Sequence, residues 1–160
     1  MLKPAVSRGQ VEQIIDDIKA NPDAKQDTIY YIALLYYSGL RATEAIEYSG
    51  GDTITGKGGH ERHIYGAEFV KQYEKYKTGS TNRRALCNRI KRASKRVLGF
   101  SVSPHQLRRS RATDLYQKTG DGDIKKIQIL LGHNSPATTF RYILFSDTDT
   151  EASYRKHFMR

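Results

Sequence analysis

Cysteine occurs once in the 160 residues, as Cys87. One thiol cannot form an internal disulfide framework, and metal sites built from several thiolates are excluded with it. Long hydrophobic runs are missing too: the longest, residues 29–37, is far shorter than the roughly 20 residues that cross a bilayer. The N-terminus has no signal-peptide core, and the chain holds no internal repeat, low-complexity tract or long linker. A cytoplasmic or other reducing compartment is expected, with no membrane contact and no cofactor. Acidic side chains are almost absent from one region, since residues 71–118 contain only Glu74 and Asp114.

That region holds 14 Lys and Arg, a net of +12, within a chain whose total is +10. A basic block so concentrated suggests a polyanionic partner, nucleic acid first among them. Hydrophobic residues at 38% and charged residues at 28% fit one compact globular domain with a real core.

Helix signals dominate. Ser7 with Gln10 forms a capping box before the stripe Val11, Ile14, Ile15 and Ile18. Residues 28–38 are apolar on almost every face and read as a buried central helix that Gly39 terminates. A short helix through Ala45 follows. Residues 52–55 and 61–65 look like two strands around a glycine-rich turn. Further helices are expected over 67–77 and over 82–98, where Leu86, Ile90, Ala93 and Val97 face inward and Gly99 ends the run. Ser103-Pro104 caps the next helix, which Gly120 ends. Residues 124–131 form a short helix stopped by Gly132, Ser135-Pro136 opens another that carries Tyr142, and an amphipathic tail runs over about 149–158. The expected class is mainly α with a small antiparallel hairpin.

Three segments carry residues suited to chemistry: Ser-Gly-Leu-Arg41-Ala-Thr-Glu44, Pro-His105-Gln-Leu-Arg108, and Leu-Leu-Gly-His133 with Tyr142 nine residues on. Each has a plain structural reading. Arg41 can simply pair with Glu44. His105 and Arg108, three apart, share a helix face that either is solvated or binds a phosphate at a helix N-terminus. His133 can cap a helix, and Tyr142 is one of eleven tyrosines.

In this order and spacing, the segments resemble the catalytic domain of the tyrosine recombinase (phage integrase) family. That family shows Thr/Ser-Gly-Leu-Arg-x-x-Glu, a hairpin lysine, His-x-x-Arg, Leu-Gly-His and a tyrosine nine residues later. Arg41, Lys57 in Thr-Gly-Lys-Gly-Gly, His105, Arg108, His133 and Tyr142 match, as do Ser103-Pro104, Arg111-Ala-Thr and Thr138-Thr139 around them. The resemblance spans about residues 7–145.

It implies site-specific breakage and rejoining of DNA by topoisomerase IB-like chemistry. Arg41 and Arg108 would clamp the scissile phosphate with bidentate, permanently charged donors. His105 and His133 would bond its oxygens, one of them taking the proton of Tyr142, whose free pKa is about 10. Lys57 would protonate the leaving 5′-oxygen. The 3′-phosphotyrosyl bond conserves the energy of the broken one, so neither ATP nor metal is needed. Arg83, Arg84, Arg89, Arg92 and Arg96 on the basic helix, with Arg109 and Arg111, would contact the backbone of double-stranded DNA. The implied assembly is a homotetramer on DNA and a monomer off it.

The match has departures. Family members usually carry a separate N-terminal core-binding domain; here a single catalytic domain over 1–160 without it is expected, with weaker and more salt-sensitive DNA binding. The stretch between Glu44 and Lys57 looks short, which predicts a reduced sheet. Arg109 and Arg111 stand where the family often has His and Phe. Residues 149–160 read equally as a tail helix docking on a neighbouring protomer or as one packed in cis. A catalytically idle DNA-binding relative, serving as regulator or accessory factor, is the alternative, and the intact six-residue set argues against it. An RNA-binding protein fits less well, because the tyrosines lie mostly in apolar stripes.

Overall fold

The computed structural model describes residues 4–56, 58–119 and 124–143, with the backbone alone of Thr119 and Tyr142. The expected tail helix and the Gly120 stop lie outside these residues. Helix α2 (Asp27–Tyr37) is buried at every position. A helix apolar on all faces has no side to give to solvent, so it becomes the axis of the domain. Around it pack α1 (Arg8–Ala20), α3 (Ala42–Glu47), α4 (Ala67–Val70), α5 (Arg83–Leu98) and α6 (Pro104–Thr119).

The capping box of α1 is formed, with the Ser7 hydroxyl accepting from the Gln10 N–H and the Gln10 side chain accepting from the Ser7 N–H. Its stripe Val11, Ile14, Ile15 and Ile18 is buried. The expected helix 67–77 is divided: after α4 the chain tightens into a 3-10 helix over Lys71–Tyr76. Val70, Tyr73 and Tyr76 recur every third residue, which matches the three-residue turn of a 3-10 helix. That winding turns Val70 and Tyr73 fully inward and Tyr76 partly. The ring of Tyr37 stacks on those of Phe69 and Tyr73, and the Tyr37 and Tyr73 hydroxyls both donate to Glu12.

The hairpin is as small as its sequence predicts. β1 (Thr53–Thr55) and β2 (Glu61–His63) pair antiparallel with Ile54 opposite Arg62. Asn82 caps α5 by accepting from the Ala85 N–H, and Ser103 caps α6 by accepting from the Gln106 N–H. Helices α7 (Ile124–Leu131) and α8 (Pro136–Tyr142) close the described chain and pack on each other and on α6. They share a second small core with it, built on Ala112, Ile127, Leu131 and Ile143. No helix among the described residues is long and apolar enough to cross a membrane.

Gly39 is the joint between the buried axis and the residues that follow. Its φ is +61°, and a Cβ there would meet the side chains of Leu131 and Leu130 at 3.0 and 3.1 Å. Both the left-handed backbone and the close approach of α7 require glycine. Gly39→Ala should therefore lower unfolding stability by about 1–3 kcal/mol, read as a fall in the denaturant midpoint at unchanged slope. An unchanged midpoint would show that α7 can retreat freely.

Candidate active site

Glu44 lies in α3, one turn after Arg41 at the helix N-cap, and only 4% of it is exposed. Its carboxylate accepts from the Arg41 backbone N–H at 2.7 Å and from Arg41 Nη1 at 2.7 Å. Arg62 Nη2 donates to it at 2.9 Å, and Arg108 Nη1 stands 3.7 Å away. Burial alone would raise the pKa of Glu44. The Arg41 N–H and the three guanidinium groups outweigh it and hold the carboxyl below its ordinary value.

Arg108, on α6, is the largest fully buried side chain of the domain. Its Nη atoms donate to the carbonyls of Gly39 and Leu131. Leu131 is the last residue of α7 and Gly39 follows the C-cap of α2, so the guanidinium lies near two helix C-termini, where the dipoles favour a cation. Arg41, by contrast, is one-third exposed and lines two clefts. The first, about 330 Å³, is lined also by Arg83, Ser103, His105 and Arg108. The second, about 270 Å³, is lined also by Gly56, His60, Arg62, Gln128 and His133. Arg41 is common to the walls of both clefts.

His105 is exposed in the first turn of α6. Desolvation by the surrounding protein, then the charges of Arg109, Arg108 and Arg41, hold its pKa below the ordinary value. His133 is buried, with its main chain fastened twice to Gln128 and its Nδ1 3.0 Å from the Thr139 hydroxyl. Burial first, then Arg108, Arg41, Arg62 and His105, push its pKa down to about 4. At neutral pH its ring is uncharged, able both to donate and to accept. Thr139 stands one turn before the backbone of Tyr142 at the end of α8, which Ile143 anchors in the second core. Lys57 lies outside the described residues. Its neighbour Gly56 abuts the site, since a Cβ there would be 3.5 Å from Glu44 Oε1.

Residues 66–148 match the model of the phage integrase family, slightly more than half of the chain. The chain belongs to that family. Among curated members, the tyrosine recombinase XerC of Rhizobium meliloti is 34% identical over 69% of this chain and 43% of its own length. XerC of Pediococcus pentosaceus is 29% identical over 85% of this chain and 56% of its own. The chain thus spans about half the length of the curated relatives it matches. The same fold occurs in the crystal structure of XerA recombinase, with a TM-score of 0.81 at 21% identity, covering all of this chain and 67% of that one. It recurs in the post-cleavage complex of XerH with palindromic difH substrate, with a TM-score of 0.74 at 22% identity over 94% of this chain and 52% of that one.

In this phage integrase family member the seven arginines considered as DNA contacts occupy different settings. Arg83, Arg84 and Arg92 are exposed. Arg89 is ion-paired to Asp27 at 2.7 Å and bonded to Thr81, and Arg96 is paired to Asp17. Arg109 is 7% exposed, and Arg111 pairs with Asp114 at 3.2 Å with its guanidinium over the Tyr36 ring. The basic block therefore splits into outward charges and charges that bind helices together.

Sequence reasoning missed Arg62 and Thr139. The signal for Arg62 was strand alternation, which places it on the inward face opposite Ile54. Thr139 figures in the sequence only as part of the Thr138-Thr139 match before Tyr142, because its bond to a histidine on the preceding loop is not visible there.

The pKa shifts have a definite sign. Between the ordinary histidine value of 6.5 and about 4, the unfolded chain binds a proton at His133 that the folded chain refuses. This contribution to stability is complete above 6.5 and disappears as the pH falls toward 4. Glu44 adds a separate loss below its ordinary value of 4.5. His133→Gln should flatten the pH dependence of unfolding stability between 6.5 and 4 without abolishing it, because His105 is shifted the same way. Denaturation curves across that window check this, and an unaltered slope would contradict it.

Proposed function

We propose that this chain is the catalytic domain of a tyrosine-type site-specific DNA recombinase, acting through a 3′-phosphotyrosyl intermediate at Tyr142. The observation that carries this reading is the convergence of Arg41, His105, Arg108 and His133, from distant parts of the chain, on two clefts that share Arg41. Double-stranded DNA as partner is supported by the XerH complexes with difH substrate and by the Tn1549 integrase bound to circular intermediate DNA. A homotetramer formed on DNA belongs to the same proposal.

The phenolic oxygen of Tyr142 attacks the phosphorus, and the bond from phosphorus to the 5′-oxygen breaks. Arg41 and Arg108 oppose the charge that gathers on the non-bridging oxygens. The phenolic proton passes to a histidine, and Lys57, which follows Gly56 in the sequence, protonates the departing 5′-oxygen. Attack by the 5′-hydroxyl of another strand reverses each transfer and restores the phosphodiester. Burial first, and then the nearby arginines, hold the pKa values of His105 and His133 down; an anionic phosphate entering the site would offset the arginines' share and raise the basicity of both rings. Arg83, at the edge of the first cleft, and the exposed Arg84 and Arg92 would hold the flanking backbone.

The test is a suicide assay on nicked duplexes drawn from a pool of candidate sites, resolved on a denaturing gel. Wild-type protein should give a covalent protein–DNA band that Tyr142→Phe lacks. Arg41→Ala should form it on the order of 100- to 1,000-fold more slowly. Retention of duplex DNA by the wild type with no covalent band would instead favour an idle DNA-binding relative.

A further inference from the structure

Arg62 has no part in the steps above, yet its side chain joins several pieces of the site. It enters from the inward face of β2, and 13% of its side chain is exposed. Nη2 donates to Glu44 Oε2 at 2.9 Å, and Nη1 donates to the Leu130 carbonyl at 3.0 Å. Its stem crosses directly over Gly132, where a Cβ would lie 2.4 Å from Arg62 Cδ and 2.6 Å from Nε. One planar guanidinium thus touches the carboxylate that holds Arg41, the end of the helix that leads to His133, and, through its own strand, the turn that bears Lys57.

We propose that Arg62 is the positioning residue of the strand-cleaving site, a crossbar that locks the hairpin to Glu44 and to the Leu130–Gly132 corner. This rests on the recombinase reading and adds to it a residue outside the six catalytic ones. The fork geometry explains why arginine is needed. A lysine offers one point charge and reaches Glu44 or Leu130, whereas the guanidinium spans both with fixed angles. It also explains Gly132: φ is +61° there, and the space that a side chain would fill is occupied by Arg62. Partly buried in the wall of the second cleft, with both Nη atoms committed to Glu44 and the Leu130 carbonyl, Arg62 acts through its neighbours rather than on the phosphate. Its loss leaves Glu44 held by Arg41 and faced by Arg108, so the carboxylate is not abandoned.

The experiment compares wild type, Arg62→Met, Arg62→Lys and Gly132→Ala in single-turnover suicide cleavage, in DNA binding, and in an NMR titration of the His133 ring. Arg62→Met should keep DNA affinity, slow covalent-complex formation by on the order of 10- to 100-fold, and raise the His133 titration midpoint. Arg62→Lys should recover part of the rate, and Gly132→Ala should lose it as Arg62→Met does. Wild-type cleavage rates in Arg62→Met, or a His133 signal that ignores the substitution, would overturn the proposal. If Arg62→Met does not fold, Arg62→Lys decides: a rate equal to wild type excludes the need for a fork. Absence of covalent product from the wild type itself would defeat the recombinase reading alone, because the His133 titration still reports on Arg62 without any turnover.

Discussion

A carboxylate removed from water is tolerated only where hydrogen bonds and positive charge replace its hydration, and Glu44 meets that condition with arginines from three separate elements. Arg41 comes from the start of α3, Arg62 from β2 and Arg108 from α6. None of the three guanidiniums could crowd its neighbours so closely without the shared anion, since like charges at this separation repel strongly in a medium poorer than water. The carboxylate and the arginines are therefore mutually dependent. Removing Glu44 would leave the buried Arg62 and Arg108 without their shared anion, at about 3–5 kcal/mol, whereas loss of one arginine leaves the carboxylate two others, so its position governs all three.

The second constraint is the helix that carries no polar face. Because α2 is buried throughout, its C-terminal end delivers Ser38, Gly39 and Leu40 into the interior, and Arg41 emerges next to it already oriented. The buried Gly39 carbonyl just past that end, and the Leu131 carbonyl at the end of α7, need donors. Arg108 supplies both, which is why so long a charged side chain is 1% exposed. In the proposed reaction the same arginine would serve fold and phosphate at once. Arg41, one-third exposed and lining both clefts, is the freer of the pair.

Positive charge in the basic block has two employments. Arg89 joins α5 to the N-terminal end of α2 through Asp27, and Arg96 joins α5 to α1 through Asp17. Arg111 lies over the Tyr36 ring and pairs with Asp114. Arg83, Arg84 and Arg92 remain on the outside. Charge counts along the sequence merge these groups, because the partners of Arg89 and Arg96 lie on other helices. Those partners, Asp27 and Asp17, fall outside the block, whereas Asp114 lies within it.

Much of the domain was legible in residue order. The all-apolar segment required a buried helix, the capping signals at Ser7, Ser103 and Ser135 set helix starts, and the hairpin followed from glycines between short alternating runs. Those features depend on local backbone chemistry and on periodicity, which a linear text carries. The spacing of Arg41, His105, Arg108, His133 and Tyr142 likewise revealed the family. Less legible was the break between α4 and the 3-10 helix, where a three-residue period hid inside a stretch that also suits an α-helix. What only the tertiary structure decided was which charges meet. That Arg62 would reach Glu44 and Leu130, that Arg108 would face two helix ends, and that Thr139 would support His133 are facts of packing between segments 18 to 69 residues apart in the largest cases and six in the smallest. By itself the sequence determined the elements and the identity of the family, because these rest on neighbours along the chain. Only the folded chain determined the partners of each buried charge, because a guanidinium finds its carboxylate through space.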